Sequence, residues 1–280
     1  MAFLGSEARR NGELTRGQLR WNYSAVHPDV YIQKGTPRTL AVNTEAAALW
    51  VPGGVIAGRA AAALHGARFI DDDSPIEVIG PARRPRPGVI VRSERIAADE
   101  TLTLAGVPVS TASRTALDLA RYLPRTQAVA HLDALAAASG VTAQAVLQLA
   151  RRYPGARGIR RARERVPLLD PGAQSPRESW LRLLVTDAGF PRPHTQIRVC
   201  HRRFTAFIDM GWEEVKVGLE YDGNLHLSDR RRYVGDIGRY EMLSQLGWLI
   251  IRVVKEHSRA FILHRVQDAL QRRSLDAKSA

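Results

Sequence analysis

A short stretch around residue 220 gathers the side chains that could do chemistry. Asp209 follows the apolar pair Phe207-Ile208, and after a polar turn an apolar run leads into Glu220, Asp222 and His226. Because successive strand side chains point to opposite faces, Glu220 and Asp222 share a face, roughly 7 Å apart, and Asp209 can face them from a partner strand. Carboxylates this close repel one another unless a cation compensates. The pattern predicts a hairpin that binds Mg²⁺ or Mn²⁺ through Asp209, Glu220 and Asp222.

The chemistry that such a site would support is phosphodiester hydrolysis. Asp209 and Glu220 would hold a metal that polarises the phosphate and lowers the pKa of bound water. Asp222 is either a third ligand or the group that orients the water. His226 is a general base, a phosphate contact or simply a strand-end histidine.

A structural interpretation of the same residues stays open. Asp222-Gly223 is also a common turn, in which case Glu220 would point into solvent. Asp209 argues against this, because an acid in an apolar strand is costly to bury without a partner. Ser175-Pro176-Arg177-Glu178 fits a helix capping box, a structural role for Glu178 that needs no metal.

The order of these parts resembles the very-short-patch-repair-like branch of the PD-(D/E)xK nucleases. The resemblance covers about residues 173–273. It rests on an acid-led helix at Glu178, a strand ending in Asp209, the Glu-x-Asp-Gly-x-x-His run from Glu220, an Arg-rich helix over 229–246, and Gly-Trp-x-x-x-Arg-Val ending at Val253. It implies a mixed central sheet flanked by helices, with DNA as substrate. Because the related nucleases carry a Glu on this first helix near the site, it also implies that Glu178 either belongs to the catalytic set or only caps the helix. Asp222 stands where the superfamily pattern has Lys, so the water-activating group is not identified.

The charge of the chain indicates a polyanionic partner. The formal net charge is +13, from 41 Lys and Arg against 28 Asp and Glu, and guanidinium groups match phosphate geometry. DNA is the expected partner, and the candidate contacts are Arg231, Arg239, Arg252, Arg16 and Arg20. Two of these have a second interpretation: Arg239 is also spaced to pair with Asp236 on a helix, and Arg252 is either an organiser of the site acids or a satisfied core charge.

The residues before 171 predict two further regions. In 1–40, a Thr-led helix over 12–20 precedes a strand over 27–32, which resembles part of the winged-helix unit of AbiEi-type antitoxins. In 41–170, helices over 44–49, 57–66 and 111–123 alternate with strands over 76–79, 89–91 and 107–109, and resemble the antitoxin's middle domain. The predicted architecture is therefore α/β (α+β): a partial winged helix, a small α/β domain and, over 171–280, the nuclease-like domain.

Composition limits the remaining functional classes. The lone Cys200 excludes an internal disulfide and, beside scattered histidines, does not make a zinc site. The start of the chain and the apolar stretch 128–138 do not indicate secretion or membrane spanning, so we expect a cytoplasmic protein.

The leading hypothesis is a metal-dependent DNA endonuclease acting in DNA repair or mobile-element defence. The alternative is a DNA-binding regulator of the AbiEi antitoxin type that uses a nuclease-like fold without cutting. Either function is compatible with a protein partner from a repair or toxin–antitoxin system.

Overall fold

The computed structural model describes residues 1–201, 204–223 and 230–279, without the side chains of 230–236 and 276–279. The chain forms a mixed α/β structure that divides into two compact units, residues 1–169 and residues 170–280. We call these the N-terminal unit and the C-terminal unit. The N-terminal unit thus contains both predicted regions, 1–40 and 41–170, except for residue 170.

The first forty residues build a small antiparallel sheet with two short helices. Its elements are β1 (Phe3–Leu4), α1 (Gly5–Arg10), α2 (Arg16–Asn22), β2 (Tyr23–His27) and β3 (Val30–Gln33), with strand order β1-β3-β2. The helix predicted over 12–20 begins only at Arg16, because Gly12 adopts a φ of +71° and Thr15 caps the helix. The strand predicted over 27–32 is interrupted at Asp29, whose φ is +64°.

A five-stranded mixed sheet follows in the same unit. Its elements are α3 (Leu40–Trp50), β4 (Val55–Ala57), α4 (Gly58–Leu64), β5 (Ile76–Ile79), β6 (Val89–Arg92), β7 (Thr101–Leu104) and β8 (Val107–Ser110), in strand order β6-β5-β4-β8-β7. The strands predicted over 76–79, 89–91 and 107–109 are confirmed. Val30 and Ile32 of β3 belong to the same apolar cluster as Trp50 of α3 and Val78 of β5, so residues 1–40 pack into this core.

Four helices complete the N-terminal unit. They are α5 (Ala112–Tyr122), α6 (Arg125–Ser139), α7 (Ala143–Ala150) and α8 (Ile159–Arg165), and they share one apolar cluster. The predicted helix over 111–123 is α5. No single helix in the described parts of the chain is long and apolar enough to cross a membrane. Helices α6 and α7 taken together have the length and composition of a membrane span, but the pair is bent by 113°.

The C-terminal unit is a four-stranded sheet with helices. Its elements are α9 (Pro176–Asp187), β9 (His194–His201), β10 (Phe204–Trp212), β11 (Val217–Tyr221), α10 (Arg230–Gln245), β12 (Leu249–Val253) and α11 (Arg259–Ser279), in strand order β12-β11-β10-β9. The predicted acidic hairpin is β10 with β11, which pair antiparallel, and the predicted helix and strand after it are α10 and β12. Helices α9 and α11 contribute to one apolar cluster and α10 to another.

Candidate functional site

The hairpin brings two of the predicted acids side by side. Met210 of β10 pairs with Leu219 of β11, so the same antiparallel register sets Asp209 beside Glu220. The carboxylate of Asp209 accepts a hydrogen bond from the Tyr221 backbone N–H at 2.8 Å. Burial, then the negative charge of Glu178 and that of Glu220, raise the pKa of Asp209 to about 7. The three carboxylates therefore interact electrostatically at one place.

Glu220 is held by two side chains of α10. Its oxygens accept from Arg239 Nη1 at 2.7 Å and from Arg239 Nη2 at 2.8 Å, the fork geometry of a bidentate ion pair. The Tyr240 hydroxyl donates to Glu220 Oε2 at 2.5 Å. Burial and this bond raise the pKa of the Tyr240 phenol, so the phenol stays protonated and donates. The Glu220 residue itself is 5% exposed.

Asp222 and Arg252 form the outer part of the same site. Arg252 lies beside Glu220 in the parallel pairing of β11 with β12, and its guanidinium donates to Asp222. The Arg252 guanidinium also lies over the Tyr240 ring, 5.0 Å from the centroid. With 48% of its side chain exposed, Arg252 reaches the surface, where Asp222 pairs with its charge.

Glu178 takes the capping role that its sequence context predicts. Ser175 caps α9 by accepting from the Glu178 backbone N–H at 3.2 Å. In return the Glu178 carboxylate accepts from the Ser175 hydroxyl and from the Gln174 backbone N–H, both at 2.8 Å. The negative charge of the same carboxylate also contributes to the raised pKa of Asp209. The capping interaction therefore places Glu178 at the edge of the site.

As arranged, these acids do not fit a divalent cation. Both oxygens of Glu220 are engaged by Arg239 and Tyr240, and Asp222 by Arg252. Within the described ranges, no group of three or more His, Cys, Asp or Glu side chains is arranged to hold a metal ion. His226 lies outside the described residues, and so do the side chains of Arg231 and of Asp236, the pairing partner expected for Arg239.

A second, separate surface lies on α2 in the N-terminal unit. Thr15 and Gln18 form a capping box that fixes the start of this helix, and Arg16 and Arg20 are exposed on it. Trp21 is 72% exposed, with the Arg20 guanidinium 5.9 Å from its ring centroid. The sequence prediction did not include Trp21, because its exposure and its position beside the Arg20 guanidinium are visible only in the fold.

The sequence prediction also missed a buried ionic network in the N-terminal unit. Arg114, which is 0% exposed, donates to Glu100 at 2.7 Å and to Asp118 at 3.0 Å. Arg121 donates to Asp118 at 2.9 Å and to Glu94 at 2.8 Å. The i, i+4 spacing of Arg114 and Asp118 is a signal that was available in the sequence. The network ties α5 to the segment around residues 94–100.

Comparisons with known proteins bear on the N-terminal unit. Residues 54–170 match the family model described as AbiEi antitoxin C-terminal domain. The predicted antitoxin-like character of the middle region is thereby confirmed over residues 54–170, and the matched segment does not include residues 1–40 or 171–280.

Similar proteins occur in Mycobacterium tuberculosis. Uncharacterized protein MT2308 of strain CDC 1551 / Oshkosh and Uncharacterized protein Rv2248 of strain ATCC 25618 / H37Rv are each 29% identical over 201 residues, covering 71% of this chain and 73% of theirs. The crystal structure of RV2827C protein from the same species is 17% identical, covers 72% of this chain and 84% of that chain, and has a TM-score of 0.41.

Proposed function

We propose that this chain is a DNA-binding regulator of the toxin–antitoxin type, in which neither unit cuts DNA. The observation that carries the proposal is the match of residues 54–170 to the AbiEi antitoxin C-terminal domain. A net charge of +13 supports DNA as the partner, because neutralising phosphates releases condensed counterions.

The surface of α2 is the proposed contact of the N-terminal unit with DNA. Arg16 and Arg20 are exposed on a helix whose start is fixed by a capping box, and phosphate contacts of this kind set the register of a protein on the duplex. Trp21 adds an exposed ring that can pack against a base or sugar. The Lys34 ammonium, held at 3.1 Å from the Arg20 carbonyl, adds positive charge to the same surface.

The C-terminal unit is proposed to hold DNA through a nuclease-like sheet without hydrolysis. Its support is the pairing of Glu220 with Arg239 and of Asp222 with Arg252, which engages two of the acids that a metal would need. Arg252, with 48% of its side chain exposed, is the proposed phosphate contact of this unit.

The test of the regulator is a mobility-shift titration of the full chain against DNA from upstream of its own gene. An unrelated duplex of equal length serves as competitor. We expect preferential retention of the upstream DNA without added divalent metal, with an affinity that falls steeply as salt rises. Equal binding to both duplexes would contradict a regulator, and absence of binding would contradict any DNA function.

A metal-dependent endonuclease is the second candidate. The observation that favours it is the convergence of Asp209, Glu178 and Glu220, whose mutual repulsion contributes to the raised pKa of Asp209. This function would require Arg239 to leave Glu220. Its test is cleavage of plasmid and mismatched duplex DNA with Mg²⁺ or Mn²⁺: cutting that disappears in both Asp209→Ala and Glu220→Ala would establish it, and no cutting under either metal would reject it.

A further inference from the structure

We infer that Arg239 is the resident cation of the carboxylate site in the C-terminal unit. It takes the place that a divalent metal would have at Glu220, so the acids of the site are held together without metal. Arg252 then engages a DNA phosphate, also without metal. The DNA part of this inference rests on the regulator proposed above. The cation part concerns the site alone.

The buried negative charge of Glu220 must be compensated. A carboxylate that is 5% exposed is unfavourable unless it is paired and hydrogen-bonded. Two guanidinium N–H groups and the Tyr240 hydroxyl supply that compensation at 2.7, 2.8 and 2.5 Å. A divalent ion would bring its positive charge to the same two oxygens, so Arg239 and a metal compete for Glu220.

Groups other than Glu220 also position the Arg239 guanidinium. Its Nη1 also donates to the Phe207 carbonyl of β10 at 3.2 Å, and its Nη2 donates to the Tyr240 hydroxyl at 2.9 Å. The guanidinium therefore bridges α10, β10 and β11, as a structural ion bridges the elements that supply its ligands. An incidental surface ion pair would not have this set of contacts.

Arg252 forms the outward face of the site. The Arg252 guanidinium is oriented by Asp222 and by the Tyr240 ring. Tyr240 thus contacts both arginines, since the Arg239 guanidinium lies 4.5 Å from the same ring centroid. Fixing the planar fork of Arg252 in advance lowers the entropy lost when it binds a phosphate.

The test titrates Mn²⁺ into the full chain by calorimetry, comparing the wild type with Arg239→Gln, Glu220→Gln and the double variant Glu220→Gln/Arg239→Gln. We expect no saturable site at Glu220 in the wild type. Removing the competing cation in Arg239→Gln should raise Mn²⁺ affinity by about tenfold or more. The double variant replaces the ion pair with two amides, which keeps the fold without a buried charge, and should bind no Mn²⁺.

The parallel measurement is DNA affinity by fluorescence anisotropy in EDTA and in Mg²⁺. We expect equal affinities for the wild type, and for Arg252→Gln a loss of several-fold with a salt slope smaller by about one. Arg272→Gln, which removes the same charge from an exposed position on α11, is the matched control.

Each failure has a distinct signature. Saturable Mn²⁺ binding by the wild type that Glu220→Gln abolishes would overturn the resident-cation inference, even if DNA binding is intact. DNA binding that needs divalent metal would overturn it too. Absence of DNA binding in every buffer would instead refute the regulator and leave the Mn²⁺ result to decide the cation. Should Arg239→Gln fail to fold, the wild-type titration still decides.

Discussion

Two ionic clusters, one in each unit, differ in how far their charged side chains are exposed. In the cluster around Arg114, that arginine, Arg121, Asp118 and Glu100 are at most 3% exposed. In the cluster around Glu220, the side chains of Arg239 and Arg252 are 27% and 48% exposed.

Asp209 marks the difference between the clusters most clearly. It accepts one backbone N–H and faces two other carboxylates. A mutually paired network that is nearly sealed, with the Glu94 side chain 22% exposed, is typical of a structural role, whereas a part-exposed cluster with a strongly perturbed acid is typical of a binding or catalytic site. We therefore expect a structural role for the first cluster and an interaction role for the second.

The largest effect should come from removing Arg114. The change Arg114→Met leaves Glu100 and Asp118 buried with their strongest partner gone, and we expect the free energy of unfolding to fall by about 3–5 kcal/mol. Denaturant unfolding followed by circular dichroism measures it. The matched control is Arg160→Met, since the Arg160 side chain is 94% exposed and should shift stability little.

The corresponding change in the second cluster sharpens the contrast. Arg239→Met should destabilise less than Arg114→Met, because water can reach the site once the arginine is gone. If the two losses are equal, or if Arg114→Met unfolds like the control, the distinction between a structural and an interacting cluster is wrong.

The next effect is a pH dependence from Asp209. Its pKa is about 7 in the folded protein against an ordinary aspartate value of 3.8, so between these values the folded state binds a proton that the unfolded chain lacks. Stability from this group is therefore lost as pH rises from about 4 to about 7. Asp209→Asn, whose amide oxygen can still accept from Tyr221, should stabilise the protein by about 2–4 kcal/mol at pH 8 and little at pH 4.

Thermal unfolding of both proteins across that pH range measures the effect. Asp73→Asn, at an exposed position of the N-terminal unit, is the control and should show no such pH dependence. A stabilisation by Asp209→Asn that is the same at pH 4 and pH 8 would show that ionisation of the buried Asp209 carboxyl is not its source.

The smallest effect on folding, and a clear one on binding, should come from the α2 surface. The double change Arg16→Gln/Arg20→Gln removes two exposed charges, so DNA affinity should fall about tenfold at moderate salt, with a salt slope smaller by about two. Trp21→Ala should weaken binding without lowering the melting temperature, because the side chain is mostly exposed. Unchanged affinity in anisotropy titrations of both variants would remove this surface from the DNA contact.

Much of the C-terminal unit could be predicted from its sequence. The alternation of apolar residues around Asp209 and Glu220 fixed the hairpin, and Ser175 with Pro176 marked the start of α9. These are local signals with a simple physical basis. What could not be predicted was which side chain compensates Glu220, because Arg239 reaches it from α10 through tertiary packing rather than through sequence spacing.

The N-terminal unit was predicted less completely for a related reason. Strand β4 spans three residues and β7 only four, so the Thr-Leu alternation of β7 is too short to stand out. Helix α6 is Ala-rich and α8 Arg-rich, whereas α7 has an apolar face of Val146, Leu149 and Ala150 that the sequence prediction missed. The sharing of one core by residues 1–40 and α3 depends on packing that puts Val30 and Ile32 in the same apolar cluster as Trp50. Contacts of this kind join distant parts of the chain and leave no local trace.

The most direct test of the account combines binding and cleavage in one sample. Full-length protein is titrated onto fluorescent duplex DNA in EDTA, Mn²⁺ is then added, and the DNA is analysed on a denaturing gel. We expect saturable binding of the protein to DNA in EDTA, and intact DNA after Mn²⁺ is added. Strand cleavage after Mn²⁺ that is lost in Asp209→Ala and Glu220→Ala would contradict it and establish a metal-dependent nuclease.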